Sequence, residues 1–528
     1  LTAALWLLVG VCAVPPVAWI GWQLGALMFR EGVLVLLPMD LAEWWLLGRT
    51  VLYAAMAAAV AVVLGLWPGV LMARGRGVVA AGVVVCAAVS LMLPSIVHTY
   101  GWSQLLRLLG YTPAAGSVAD IGRCIWTLGC WLWGIVAVLV GITLRRMDSD
   151  VEAAARLDGG HWRVVLGSLR GTLATAAAMV MLLAAAEFAV YEPTGIRVVA
   201  TEARTVYDTG LRSGQRSALG GGGMLASQSD RAALAIATVA PLSAMLMGGL
   251  AVAIGVMRRG AWEVTGSSAG PWVGGGRGRG VVIACAAAVV VTTLVLPLVG
   301  LVLSLSSIGA LGPWRVLEVF WPQFVGTLSI GLVVGLAAVV IGLLVAMTSG
   351  WAARVPAVGS LAVFALGGLV LGIAQVSVWA GLDAVGDSWV VVVMTHVARL
   401  AWLPLLAAAW LHTPGWQNLR DAARADGATA YQLAWTILLP VGWPIIAAAG
   451  LATGLLAMTE VPANLILSPQ NPPMLTPMMM TWVHMLRYDD MLVASLLLAG
   501  LTVVLGGVAT AVLWVAVSGR RSEKSPRA

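Results

Sequence analysis

The 528-residue chain is 60% hydrophobic and only 10% charged, with a mean hydropathy of +0.96, whereas an ordinary soluble domain carries about 25% charged residues. That composition excludes a water-soluble globular fold and places the chain in a lipid bilayer. The net charge of +7 would suit nucleic acid, but the basic residues are nearly all Arg, scattered in short polar gaps between apolar stretches, and this pattern reads as membrane topology.

A spanning helix takes ~20 residues, and apolar runs of that length fall near 3–27, 50–72, 78–99, 122–144, 172–191, 232–257, 281–304, 326–348, 355–381, 388–411, 443–467 and 491–517. The expected fold is therefore an all-α polytopic membrane protein with about 12 transmembrane helices. The first run has no small-residue cleavage site and reads as a retained span. With the N-terminus inside, the cytoplasmic gaps hold Arg74, Arg76, Arg145, Arg146, Arg156, Arg163, Arg170, Arg258, Arg259, Arg277, Arg279, Arg354, Arg420, Arg424 and the basic tail. Basic residues outnumber acidic ones there, while acidic residues prevail in the external gaps. Both termini are thus expected in the cytoplasm.

Fixed-offset similarity divides the chain in two. Thr50 with Gly65 and Thr327 with Gly342 stand 277 residues apart, Glu187 and Glu460 stand 273 apart, and Ala154-Ala155-Arg156-Leu157-Asp158-Gly159 matches Ala422-Ala423-Arg424-Ala425-Asp426-Gly427 at 268. Two homologous six-helix halves in parallel orientation are expected, at 1–260 and 281–519. A Gly-rich cytoplasmic linker over 261–280 joins them, and a polar tail covers 520–528.

The lone lysine, Lys524, leaves no Gly-Lys-Ser/Thr phosphate loop and no buried Schiff-base lysine. Cys12, Cys86, Cys124, Cys130 and Cys285 form no CxxC pair, and no His stands at ligand spacing beside them. No disulfide framework, zinc site or iron–sulfur cluster is expected.

Between the tenth and eleventh runs lies an unusually long polar connector, Leu419-Arg420-Asp421-Ala422-Ala423-Arg424-Ala425-Asp426-Gly427, which continues to Ile437-Leu438-Leu439-Pro440. Good helix formers before Gly427 predict a short helix, a Gly turn and a second helix running toward the membrane: a rigid knob whose polar face carries Asp421, Arg424 and Asp426. This stretch resembles the EAA motif of permease subunits of binding-protein-dependent ABC importers: Glu-Ala-Ala, three residues, Gly, nine residues, then Ile-x-Leu-Pro. Asp421, Ala422, Ala423, Gly427, Ile437, Leu439 and Pro440 fit it, with Asp in place of Glu. The earlier copy is less faithful. Ala154, Ala155 and Gly159 fit, but Ala153 takes the Glu position with Glu152 one residue early, and Leu169-Arg170-Gly171-Thr172 replaces Ile-x-Leu-Pro. Thr395-His396-Val397-Ala398-Arg399 and the stretch from Thr459-Glu460 to Ser468-Pro469 resemble the fused, two-half ferric-iron and thiamine subgroup.

The resemblance implies a permease whose two coupling knobs dock on two separate cytoplasmic ATPase subunits, and an external or periplasmic binding protein that delivers substrate. The chain itself would be no enzyme and would hold no cofactor, ATP being used by the partner subunits; no nucleic acid partner is expected. Ferric iron is the first substrate expectation, thiamine or another small solute the second. A twelve-span secondary transporter is the rival class; a membrane-embedded enzyme would need clustered catalytic groups that the sequence does not offer.

Ionisable groups within spans are functional candidates by default. Arg399 lines the pathway, snorkels, or pairs with an acidic neighbour, and pairing is the leading expectation. Glu187 and Glu460, at external span ends, are candidate pathway carboxylates, with capping or helix pairing the blander role. Met474, Met478, Met479 and Met480 read as packing rather than a soft-metal cluster. His98, His161, His396, His412 and His484 read as structural, and Trp44, Trp45, Trp321 and Trp482 as interfacial anchors. The external stretch 192–230, with its run of glycines, contacts a binding protein or moves freely.

Overall fold

The computed structural model describes residues 2–522 except 33–35, 39, 76, 148, 160, 212–226, 261–275, 308–311, 349–350, 387, 410–413 and 468–470. Most of the expected 261–280 linker, the Gly220–Gly223 run of the 192–230 stretch and the tail beyond Ser522 therefore lie outside the described residues. Helix is the only regular secondary structure among those described, because a segment in hydrocarbon must satisfy its backbone polar groups internally.

In chain order the helices are α1 (Thr2–Glu31), α2 (Leu41–Arg74), α3 (Gly77–Met92), α4 (Ser95–Leu108), α5 (Val118–Arg146), α6 (Ser149–Leu157), α7 (His161–Ala186), α8 (Val199–Thr209), α9 (Gln228–Gly260) and α10 (Gly276–Val290), which runs through a π turn into α11 (Leu296–Ser304). They continue as α12 (Gly312–Met347), α13 (Trp351–Ala365), α14 (Gly368–Trp379), α15 (Asp383–Gly386), α16 (Trp389–Leu400), α17 (Trp402–Ala409), α18 (Pro414–Ala425), α19 (Leu439–Thr459), α20 (Pro462–Leu467), α21 (Leu475–His484) and α22 (Tyr488–Ser522).

Among the described residues nine helices are long and apolar enough to cross a membrane, or up to 12 if each bent pair is one span. The chain is an α-helical membrane protein. Three of the apolar runs break. α3 and α4 meet at 98°, the end of α13 meets α14 at 100°, and α16 meets α17 at 46°. The causes are local. Pro94, at the N-cap of α4, lacks a donor and disfavours helix at Leu93. Gly367, with φ of 82°, adopts the left-handed region that only glycine enters cheaply. Pro404, in the first turn of α17, cannot donate to the carbonyl of Leu400.

Two compact units emerge, and neither is a single contiguous stretch: one comprises Glu31–Pro313 and Met491–Ala499, the other Leu1–Arg30, Trp314–Asp490 and Gly500–Ala528. In the first, α2 lies directly against α5. A Cβ at Gly69 would lie 2.8 Å from the Ala137 carbonyl, so only glycine permits this approach. Leu71, Met72, Val83, Ala87, Trp133 and Ala137 form a core that takes in Val282, Ala286 and Val289 of α10. At the opposite end of α2, the Thr50 hydroxyl donates to Leu46 O at 2.8 Å and accepts from the Val199 N–H at 3.0 Å. It thereby satisfies an N–H at the start of α8 that has no helical partner.

In the second unit α1 packs Leu5, Val9 and Cys12 on Ile341, Val345, Leu371, Val397 and Leu405. Its membership has a polar cause as well. Pro16 interrupts the α1 hydrogen-bond ladder and frees the carbonyl of Cys12; the buried Gln375 amide donates to that carbonyl at 2.9 Å. α12 and α19 cross where Gly331 and Gly335 face Gly450 and Gly454, a Cβ at Gly454 lying 2.5 Å from Gly331 O. Thr327 on α12 donates to Gln323 O at 2.9 Å and accepts from the Leu475 N–H at 2.8 Å. Here too a hydroxyl on a long helix caps the start of another, α21.

Candidate functional site

The Asp421 segment forms the expected knob. Pro414 opens α18, where a missing N–H costs nothing. Gly427 ends the turn beyond it with φ of 82°; its N–H donates to Arg424 O at 3.0 Å and that of Ala428 to Ala423 O at 2.9 Å, the paired bonds of a Schellman stop. Thr429 then starts the next turn. Its hydroxyl accepts from Gln432 N at 3.2 Å while Gln432 Oε1 accepts from Thr429 N at 2.9 Å, a reciprocal capping box that the sequence reading missed although Thr-x-x-Gln stands in plain view.

Asp421, Ala422, Arg424, Asp426 and Gly427 are exposed and Ala423 is half-buried. The Asp421–Arg424 pair, 3.6 Å apart and mostly exposed, contributes little stability. Ile437 and Leu439 are half-buried and Pro440 is exposed. Ile437 belongs to a π turn over Leu433–Leu438. Tyr431 and Trp435 are exposed with ring centroids 6.0 Å apart.

One residue of the knob points inward. Arg420 is buried, and its Nη2 donates to Ala346 O at 3.0 Å, in the last turn of α12. Burial lowers its pKa, the neighbouring Arg424 lowers it further and Asp421 opposes both; a guanidinium starts from so high a value that it keeps its charge. In the other unit Arg145, near the end of α5, donates through Nε and Nη2 to Met72 O at 3.1 and 2.6 Å. There the carbonyl lies in the last turn of α2. Free C-terminal carbonyls and the negative end of the helix dipole favour such a cation.

The earlier knob, α6, ends at Gly159 with φ of 69°. Ala154 and Gly159 are exposed, Ala155 is buried and Leu157 projects almost fully exposed. The side chain of Glu152 lies outside the described residues.

A second cluster is buried in the unit that contains α12. Arg399 Nη1 and Glu460 Oε1 form an ion pair with side chains only 8% and 16% exposed. The guanidinium also lies 5.5 Å from the Phe364 ring centroid. Gly368 cradles the pair, since a Cβ there would overlap both charged ends. Beside it the Nε2–H of His396 donates to Asn464 Oδ1 at 2.7 Å, and Asn464 Nδ2 donates to Ala457 O and Thr476 Oγ1, each at 3.2 Å, and to Glu460 O. Three chain breaks converge here, at Gly367, at Ala401 and at Glu460. Sequence reading named Arg399 and Glu460 separately and covered Asn464 only within the Thr459–Pro469 stretch; the fold brings them together and adds Thr476 and Gly368, whose small or neutral side chains gave no signal.

The other candidate carboxylate, Glu187, lies elsewhere in the chain. It follows the end of α7, is buried, and its Oε1 accepts from Ala189 N at 2.9 Å. Met474, Met479 and Met480 are core residues. Trp44, Trp45 and Trp321 are exposed as anchors require, but Trp482 is buried with its ring 5.2 Å from that of Phe320. Its place near a span end suggested an anchor, and aromatic packing decided otherwise. Compared with known proteins, the chain matches no family model, no curated sequence and no solved structure.

Proposed function

We propose that the chain is the transmembrane subunit of a binding-protein-dependent ABC importer in the plasma (inner) membrane, with two related halves in one polypeptide and both termini in the cytoplasm. The observation that carries this reading is the pair of short helices, α6 and α18. Each bears Ala-Ala-Arg-x-Asp-Gly, ends at a glycine of positive φ, and precedes a long apolar helix. Each would dock in a cleft of one ATPase subunit, and ATPase closure would then move the two halves as rigid bodies. An external binding protein would deliver the substrate, with ferric iron first and thiamine or another small solute next.

One observation favours a second reading. A buried ion pair at a meeting of broken helices is also what a secondary transporter builds around its substrate. Co-purification separates the two. ATPase subunits retained by the tagged chain, and lost when Gly427→Val and Asp421→Lys disrupt the knob, support the importer. A native chain that retains no ATPase while keeping its fold refutes it and turns attention to Arg399 and Glu460.

A further inference from the structure

The two long helices that follow the two leading apolar runs share a construction that neither the motif nor the proposed docking explains. At one end of α12, the carbonyl of Ala346 is gripped by Arg420, which sits on the knob helix itself. At the other end Thr327 caps the first N–H of α21. These two joints are 19 residues apart, about 28 Å along a helix and close to the ~30 Å of a bilayer's hydrocarbon core. α2 repeats the arrangement. Arg145, three residues ahead of Asp148 and close before α6, grips Met72 O, and Thr50 caps the start of α8 about 33 Å away along the same helix.

The Arg joints suit transmission. A guanidinium on a carbonyl of the last helical turn meets the negative end of the dipole, and Arg420 is buried while Asn418, Leu419, Asp421 and Ala422 beside it are exposed. The Thr joints are directional, because the N–H they accept belongs to a separate helix, so α8 and α21 are pinned by a hydrogen bond as well as by packing. Between the joints α12 is stiffened by the glycine-lined crossing with α19, and α2 by its close contact with α5.

We infer that α2 and α12 are connecting rods, with Arg145 and Arg420 as the joints at the knob end and Thr50 and Thr327 as the joints that move α8 and α21. The four are positioning residues that carry displacement of a knob across the membrane. This rests on the importer reading, and the test keeps the two apart. Hydrogen exchange is measured on the full chain in lipid nanodiscs with its ATPase subunits, before and after trapping with ATP and vanadate, for the native chain, Thr327→Val, Arg420→Gln and Arg420→Lys. In the native complex, nucleotide should change protection both at 419–428 and at 475–484. Thr327→Val, which is nearly isosteric and far from the knob in sequence and along the rod, should keep the change at 419–428 and lose it at 475–484. Arg420→Gln should also lose it at 475–484, and Arg420→Lys should restore part of it. Persistence of the change at 475–484 in Thr327→Val overturns the inference while leaving the importer reading intact. Absence of ATPase from the native complex overturns the importer reading; faster exchange of the Leu475 amide in ATPase-free Thr327→Val would then still support the joint, and unchanged exchange would sink it. If Arg420→Gln does not fold, Thr327→Val alone decides.

Discussion

The Arg399–Glu460 pair makes a quantitative prediction. Both side chains are nearly excluded from solvent, so removing one partner leaves the other charge buried without its counter-ion, at a cost of about 3–5 kcal/mol. Arg399→Met and Glu460→Leu should therefore each destabilise the protein by about 3 kcal/mol, more than a hundredfold in the folding equilibrium. The double variant Arg399→Met with Glu460→Leu removes both charges and keeps similar volume, and its Met thioether can still meet the Phe364 ring. It should fall within about 1 kcal/mol of the native protein, giving a coupling energy of several kcal/mol in a double-mutant cycle. The assay is reversible unfolding in mixed micelles, followed by tryptophan fluorescence. Singles that cost less than about 0.5 kcal/mol would show that water reaches the pair. A double variant as costly as the sum of the singles would show that the two side chains do not act together.

Gly368→Ala should destabilise by about 1–3 kcal/mol, because its methyl overlaps both ends of the ion pair; unchanged stability in the same unfolding assay would place the pair elsewhere. Gly454→Val should be worse than Gly500→Val, since a Cβ at Gly454 meets the Gly331 carbonyl at 2.5 Å whereas Gly500 has nothing within 4 Å. Equal melting temperatures would refute the tight α12–α19 crossing. Gly427→Val forces a branched residue to φ near 82° at a cost of about 1–2 kcal/mol and should open the knob to limited proteolysis around Asp426, while global unfolding shifts little. Gln375→Leu strands the Cys12 carbonyl and should cost about 1–3 kcal/mol; a neutral effect would mean that Cys12 O finds another donor.

Much of the architecture is legible along the chain because the free energy of placing a residue in hydrocarbon is local and roughly additive. The apolar runs therefore foretell where helices form, although α2 begins at Leu41 rather than near residue 50, its amphipathic first turns being invisible to a hydropathy count. The knob was readable too, because a glycine after helix formers is a stop signal whatever surrounds it. The Thr50 and Thr327 match showed in the sequence as a repeat, but not as a pair of caps on helices almost 150 residues further on.

What the amino-acid order alone determined was membrane residence, the helical class and the positions of the two Ala-Ala-x-x-x-Gly turns. Only the tertiary structure decided which apolar runs bend, that α1 belongs with residues beyond Trp314, and that Arg399 meets Glu460 across 61 residues. The physical reason is that hydropathy and turn chemistry act within a few residues. A buried charge or a carbonyl freed by Pro16 is satisfied by whichever distant partner the packing delivers, and nothing in the local sequence names it.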